Sequence, residues 1–331
     1  MSVHELKRPP ALQSPQPETV SIFPAALEQL RHWAQVSPLQ SALRHKRHGQ
    51  WHSWRWIDTL REVERLADGL RQHGFTAYSR LALSGSLEPN LLLLSLAAHS
   101  IGGEVFSLAP ELTAEALGQA FWRLQPSHGF VDSRQQLLDW LAVGDSNTAP
   151  GVLIANQLPG RLPGSPRQRV LAFASLCGEL QEPRPIVLWR APTTQPQLWS
   201  EEDTRWQGGL GVVLEQWLNS GHGLAFAESR DSASRDRREV APSGLLLSPE
   251  RLQNLADEIE QRLAPQDTWR RRLCEWSLAH PERFFARLLK QRVRRLLGFQ
   301  RLQYIWQPST PAKLPATFNQ WRLQAPGRKS A

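Results

Sequence analysis

Few residues in this 331-residue sequence have the types and spacing that nucleophilic or metal chemistry requires. The two cysteines, Cys177 and Cys274, are not at the spacing of metal ligands. Ser243 is followed by Gly244, but the Gly-x-Ser-x-Gly pattern of a nucleophile elbow is missing. We therefore assign no catalytic residue and predict no metal site.

A short basic cluster, His45–His48, precedes Trp51. It has no carboxylate or cysteine at ligand spacing, so a metal or catalytic role has little support. We expect these residues to lie in a solvated loop.

The positive charge of the sequence is concentrated in one segment. The net charge is +8, and residues 270–301 contain ten basic and two acidic side chains, which is also an excess of +8. A surface that binds polyanions would therefore be a single patch near the C-terminus.

This basic segment predicts an amphipathic helix from about Glu282 to Phe299. The apolar residues expected to pack inward are Phe285, Leu288, Leu289, Val293, Leu296 and Leu297. The basic residues expected to contact an anionic surface are Arg287, Lys290, Arg294 and Arg295. A solvated helix face is one alternative. Nucleic-acid binding is a second, disfavoured because the basic and apolar residues separate to opposite faces.

Composition and periodicity divide the sequence into five regions. They are a Pro/Gln-rich N-terminal tail (1–36), an α/β subdomain (37–145), an irregular α/β second part (146–247), a helical part with the basic helix (248–303) and a C-terminal tail (304–331). The apolar stretches are far shorter than the ~18 residues of a membrane span, and no secretory signal is visible. We expect a cytoplasmic protein that can lie peripherally on the inner face of the membrane.

Short helices and strands alternate in the α/β subdomain. Apolar runs at 81–84, 105–108 and 130–131 predict strands, and three- and four-residue spacing predicts helices between them, the first from Ser53 to Gly74. Because the strands are continuous apolar runs, we expect them to be adjacent, parallel and covered by helices.

Two later segments have clear local signals. The mixed-charge run from Glu228 to Glu239 predicts an exposed loop. Ser248 is a good N-cap and is followed by Pro249, so a helix is predicted to begin there.

Several segments resemble, in family order, the AMP-forming acyl-CoA synthetases of the adenylate-forming superfamily. They are Trp51-His52-Ser53-Trp54, Arg80-Leu81-Ala82-Leu83, Glu88-Pro89-Asn90 and Ala97 through Pro110. Phe130–Leu137 is similar to the Val-Asp-x-x-x-Gln-Leu of the long-chain fatty acid branch, and Lys290–Leu302 to its Arg-x-x-Leu-Gly-x-x-Leu-Arg. The resemblance implies an α/β fold, a layered parallel sheet with flanking helices like a truncated N-terminal synthetase domain. It also implies a role in fatty-acyl or aryl activation.

The resemblance also indicates where the phosphate loop of the family would fall. Pro242–Ser248 matches the end of that loop, with Ser243 in place of the lysine. The preceding residues 235–241 contain no glycine, and Asp236 and Glu239 would repel a triphosphate. We expect Ser243, Gly244 and Ser248 to be the remnant of a nucleotide site that does not cradle ATP.

Later family motifs are missing from the sequence. No Tyr-Gly-x-Thr-Glu follows Leu302, the mobile C-terminal domain is not found, and Lys313 is only faintly similar to the adenylation lysine. We therefore predict a degenerate synthetase-like protein without a cofactor, whose partner is an acyl carrier protein, a complete synthetase or an anionic membrane surface. One alternative is an active acyl-CoA or acyl-carrier-protein ligase that uses ATP, Mg²⁺ and CoA at an atypical site. The other is a basic adaptor for membrane or nucleic acid.

Overall fold

The computed structural model describes residues 18–20, 22–143, 148–162, 167–176, 195–262, 268–280, 283–308, 315 and 317–318. The helices are α1 (Ala26–Val36), α2 (Trp56–Gln72), α3 (Pro89–Ile101), α4 (Ala114–Leu124), α5 (Arg134–Val143), α6 (Gly209–Ser220), α7 (Ala233–Val240), α8 (Pro249–Arg262), α9 (Trp269–Ala279) and α10 (Phe284–Leu297). The strands are β1 (Glu18–Thr19), β2 (Ser41–Arg47), β3 (Gln50–Arg55), β4 (Arg80–Ser84), β5 (Glu104–Ser107), β6 (His128–Val131), β7 (Val152–Ala155), β8 (Arg169–Ala172), β9 (Gln197–Ser200), β10 (Gly223–Phe226), β11 (Gly244–Leu245) and β12 (Tyr304–Ile305). Cys177 and Lys313 lie outside the described residues, as does the side chain of Cys274.

The first sheet has the strand order β1-β5-β4-β6-β7-β8. Strands β5, β4, β6, β7 and β8 are parallel, and the short β1 is antiparallel at one edge. The expected adjacent, parallel arrangement of β4, β5 and β6 is confirmed, and so is the layered α/β class. Local signals set the helix ends, since Thr113 caps α4 through the Ala116 N–H and Gly102, with φ +92°, ends α3.

The second sheet has the order β12-β11-β9-β10-β2-β3, which does not follow the chain. Strands β12, β11, β9, β10 and β2 are parallel, whereas β3 forms an antiparallel hairpin with β2. The carboxyl ends of β9, β10 and β11 therefore lie at one edge. In open α/β sheets, that edge is where ligands bind.

The predicted start of the first long helix is wrong. Ser53 lies in β3, its hydroxyl is 2.6 Å from that of Ser41, and α2 begins at Trp56. The hairpin with β2 supplies hydrogen bonds that helical periodicity does not reveal. The N-terminal tail predicted for residues 1–36 also contains α1, which buries Leu30 completely.

Two segments expected to be solvated loops instead contain regular elements with buried charged residues. His45 and Lys46 lie in β2, and the run from Glu228 to Glu239 contains α7. The reason is one ion-pair cluster, in which the Lys46 ammonium lies 2.8 Å from Asp236 and 2.7 Å from Glu239. Because each charge has a partner, these polar residues can be buried.

The orientation predicted for the basic helix is only partly correct, because two of the six residues predicted to pack inward are buried and three are exposed. Phe285, Leu288 and Leu296 are exposed on α10, and the buried residues are Val293 and Leu297. Apolar residues cover too wide an arc of this helix for periodicity alone to identify the packed side. The predicted C-terminal tail likewise includes Phe318, which is buried against Phe299 with 6.4 Å between ring centroids.

A hydrogen-bonded junction joins the loops that follow β4 and β9, one from each sheet. The Thr204 N–H donates to the Gly85 carbonyl at 2.9 Å, and the Gly85 N–H donates to the Thr204 hydroxyl at 3.0 Å. That hydroxyl donates in turn to the Leu108 carbonyl at 2.7 Å. The Leu87 N–H donates to the Glu202 carbonyl at 2.9 Å.

Replacing Thr204 with valine keeps the side-chain shape but leaves the Gly85 N–H and the Leu108 carbonyl without this partner. Each buried polar group left unsatisfied costs about 1–3 kcal/mol. We expect Thr204→Val to lower the free energy of unfolding in urea by about 2–4 kcal/mol. Thr204→Ser keeps the hydroxyl and is the matched control. Equal stability of the valine and serine variants would contradict this role for the junction.

Candidate functional site

A crevice of about 400 Å³ lies at the carboxyl ends of β9, β10 and β11. Glu201, Glu202 and Asp203 follow β9, Arg230 follows β10, and Ser248 follows β11. The crevice is therefore lined by a run of carboxylates at the edge where an α/β sheet binds ligands.

The Glu201 carboxylate accepts three side-chain hydrogen bonds. Its oxygens accept from Arg237 at 2.7 Å, from Arg251 at 3.1 Å and from the Trp199 indole at 2.6 Å. The side chains of Glu201 and Arg237 are both almost fully buried. A buried carboxylate with two guanidinium partners is already neutralised within the protein.

Glu202 accepts a backbone hydrogen bond. The Ser248 N–H, immediately before α8, donates to its carboxyl oxygen at 2.7 Å. Burial raises the pKa of Glu202 to about 7, although this hydrogen bond acts in the opposite direction. The Glu202 side chain thus lies where the N-terminus of a helix would bind an external anion.

Asp203, Arg205 and Arg230 of the crevice also have partners. Asp203 forms an ion pair with Arg230, and Arg205 reaches Glu111 at 2.9 Å. Both arginines remain partly exposed at the crevice wall.

A smaller cavity of about 70 Å³ adjoins the crevice and includes Glu88 and Ser200. Burial, followed by the charge of Asp132, raises the pKa of Glu88 to about 7. His45 lies 3.5 Å from Glu88, but burial lowers the pKa of His45 to about 3, so this contact is not an ion pair at neutral pH.

Of the three residues predicted as a nucleotide remnant, the structure brings Ser248 to the crevice. Its hydroxyl accepts from the Arg251 N–H at 3.1 Å and caps α8, as the sequence predicts. Ser243 and Gly244 lie in the sheet. The Ser243 hydroxyl is bonded to the Gln197 N–H and carbonyl, both at 3.0 Å, and a Cβ at Gly244 would overlap the Tyr304 ring.

The four basic residues predicted to contact an anionic surface have different environments on α10. Arg287 and Arg295 are exposed, and Lys290 is half-buried. Arg294 donates to the carbonyls of Phe299 and Leu302, both at 3.1 Å, and burial lowers its pKa. Arg294 therefore stabilises the segment that follows α10.

The sequence analysis missed the carboxylates of the crevice. A usable signal was present, since Glu201, Glu202 and Asp203 are consecutive and directly follow a short apolar strand. The partners Arg237 and Arg251, which are 36 and 50 residues from Glu201, had no such signal. Within the described ranges, no group of three potential metal ligands occurs.

Comparison with solved structures shows the fold to which this arrangement belongs. The A-PCP didomain of carboxylic acid reductase from Segniliparus rugosus, solved with AMP, has a TM-score of 0.61 and 11% identity over 89% of this chain and 50% of its own. The adenylation domain of a carboxylate reductase from Mycobacterium chelonae has a TM-score of 0.56 and 13% identity, over 90% of this chain and 56% of its own. Coronafacic acid ligase from Pectobacterium brasiliense has a TM-score of 0.56 and 12% identity, over 72% of this chain and 53% of its own.

This chain therefore has the α/β fold of the N-terminal part of adenylate-forming enzymes. It spans about half the length of the solved structures named above. No protein-family model and no curated protein sequence matches it.

The raised pKa of Glu202 predicts a specific pH dependence of stability. Its pKa is about 7 in the folded protein and 4.5 in the unfolded chain, so the folded state binds more protons between these values. The contribution of Glu202 is therefore fully present below about pH 4.5 and is lost as the pH rises to about 7.

Glu202→Gln should remove this contribution while its amide oxygen can still accept from the Ser248 N–H. In urea unfolding between about pH 4.5 and 7, we expect the free energy of unfolding of the wild type to fall relative to that of Glu202→Gln. Glu250→Gln, an exposed carboxylate of the same crevice, is the control and should follow the wild type. A constant difference between the wild type and Glu202→Gln would refute the assignment.

Proposed function

We propose that this chain is an acyl-CoA-synthetase-like protein that does not itself form an acyl-adenylate. It would serve fatty-acyl or aryl activation alongside a protein that carries out the chemistry. The observation that carries this proposal is the Glu202 carboxyl at the N-terminus of α8, hydrogen-bonded to the Ser248 N–H at 2.7 Å.

Phosphate binding at a helix N-terminus requires free backbone N–H groups that point at the ligand. Before and within the first turn of α8, the Ser248 N–H donates to Glu202 and the Arg251 N–H donates to the Ser248 hydroxyl. Pro249 has no N–H. The donors that a phosphate would need are thus largely occupied by the protein itself.

The arginines that line the crevice are already paired with carboxylates. Glu201 pairs with Arg237 and Arg251, and Asp203 pairs with Arg230, so a phosphate could reach these arginines only if the pairs were broken. A phosphate would have to displace these carboxylates from their guanidinium partners.

A second candidate function is an active ligase with an atypical ATP site. The observation in its favour is that Arg205 and Arg230 are partly exposed at the wall of a crevice of about 400 Å³. Guanidinium groups bind phosphate well. This candidate requires both arginines to exchange their carboxylate partners for phosphate.

Acid-dependent exchange of pyrophosphate into ATP distinguishes the two candidates. With fatty or aromatic acids and Mg²⁺ present, we expect exchange no greater than that of heat-denatured protein, and no saturable heat on titration with ATP–Mg²⁺. A ligase of the same fold, assayed in parallel, is the positive control. Exchange above the denatured control would reject the proposal and favour the ligase.

A further inference from the structure

The outward side of α10 is a mixed apolar and basic surface. Phe284, Phe285, Leu288 and Leu296 have 69%, 74%, 46% and 60% of their surface exposed. Residues 285, 288, 292 and 296 are spaced by three and four positions, so they share one helix face. Arg292 and Arg295 are exposed on the same side, while Val293 and Leu297 pack into the core on the other.

The neighbouring helix α9 also exposes apolar side chains. Trp269 and Leu273, one helical turn apart, are 70% and 43% exposed. Among the residues that the structure describes, eleven large hydrophobic side chains are exposed, and six of them belong to these two helices. We call these six residues, with Arg292 and Arg295, the α9–α10 patch. Such clustering of exposed apolar side chains marks an interaction site.

The patch lies in the most basic segment of the chain. Residues 270–301 hold ten basic and two acidic side chains, and α10 contains no acidic residue. One of the two acids, Glu275, is paired with Arg271 at 3.2 Å. The partner of this surface must therefore offer both negative charge and an apolar interior.

We propose that the α9–α10 patch docks on the surface of an anionic lipid bilayer. In this arrangement Phe284, Phe285 and Leu288 enter the boundary between headgroups and acyl chains, and the arginines contact lipid phosphates. Helix α10 has 14 residues, about 21 Å, and lies along the surface. Every helix in the described ranges is too short or too polar to cross a bilayer.

Lipid suits this surface better than nucleic acid does. Three of the six apolar side chains are leucines, on which a base does not stack. The rings of Phe284 and Phe285 pack edge to face, with 5.8 Å between their centroids, so they form one apolar ridge and not two separate stacking platforms. A fluid acyl layer can fit around such a ridge.

The test is flotation of the full chain with lipid vesicles. We expect binding to vesicles of phosphatidylcholine with phosphatidylglycerol, weak binding to phosphatidylcholine alone, and weaker binding as salt rises. Phe284→Ala with Phe285→Ala should lower the affinity for the mixed vesicles by about tenfold or more. Arg292→Gln with Arg295→Gln should lower affinity and reduce its salt dependence.

Tyr78→Ala with Trp122→Ala is the matched control, because these aromatic residues are 97% and 69% exposed elsewhere on the protein. This variant should bind vesicles like the wild type, and all variants should keep the wild-type melting temperature because the replaced side chains are exposed. Absence of vesicle binding, equal binding to neutral lipid, or full binding by the double phenylalanine variant would overturn the proposal. Binding to an oligonucleotide or an acidic carrier protein but not to vesicles would also overturn it. No readout involves nucleotide, so the outcome is independent of the proposed function.

Discussion

The hydrogen bonds between Thr204 and Gly85 are the constraint on which the rest of the structure depends. They connect the loops at the carboxyl ends of β4 and β9, and Thr204 reaches further to the Leu108 carbonyl. The backbone of residues 201–204 is thereby fixed between the two sheets. This position directs Glu201 toward Arg237 and Glu202 toward the Ser248 N–H. The geometry of the crevice follows from this junction.

Buried charge is handled in the same way in two places, by supplying a partner from a distant part of the chain. Glu201 is neutralised by Arg237, and Asp236 by Lys46, with Ser232 and the Glu228 N–H as further donors to Asp236. Both clusters depend on α7, which provides Asp236 and Arg237 as neighbours in sequence. One side of this polar helix, which carries Asp236 and Arg237, can therefore be buried. The carboxylates at the carboxyl ends of the strands are therefore hydrogen-bonded or ion-paired within the protein. This agrees with the function proposed above.

The sequence predicted three adjacent strands of the first sheet, β5, β4 and β6, because their signals are local. Apolar strand runs, the Thr113 cap and the glycine after α3 act within a few residues of one another. The second sheet and the crevice depend on contacts that no local pattern reports. Lys46 and Asp236 are 190 residues apart, so each looked solvated when considered alone. The apolar residues of α10 surround much of the helix, and the packed side was decided by tertiary contacts of Val293 and Leu297.

Hydrogen exchange of the backbone amides at the crevice would show whether the protein's own carboxylates occupy the donors that a nucleotide phosphate would use. The account predicts that exchange in residues 201–206, 229–232 and 248–251 is unchanged when ATP–Mg²⁺ is added in excess. Protection of these amides by ATP–Mg²⁺, above all at Ser248, would show that the nucleotide displaces Glu202 and would contradict the account.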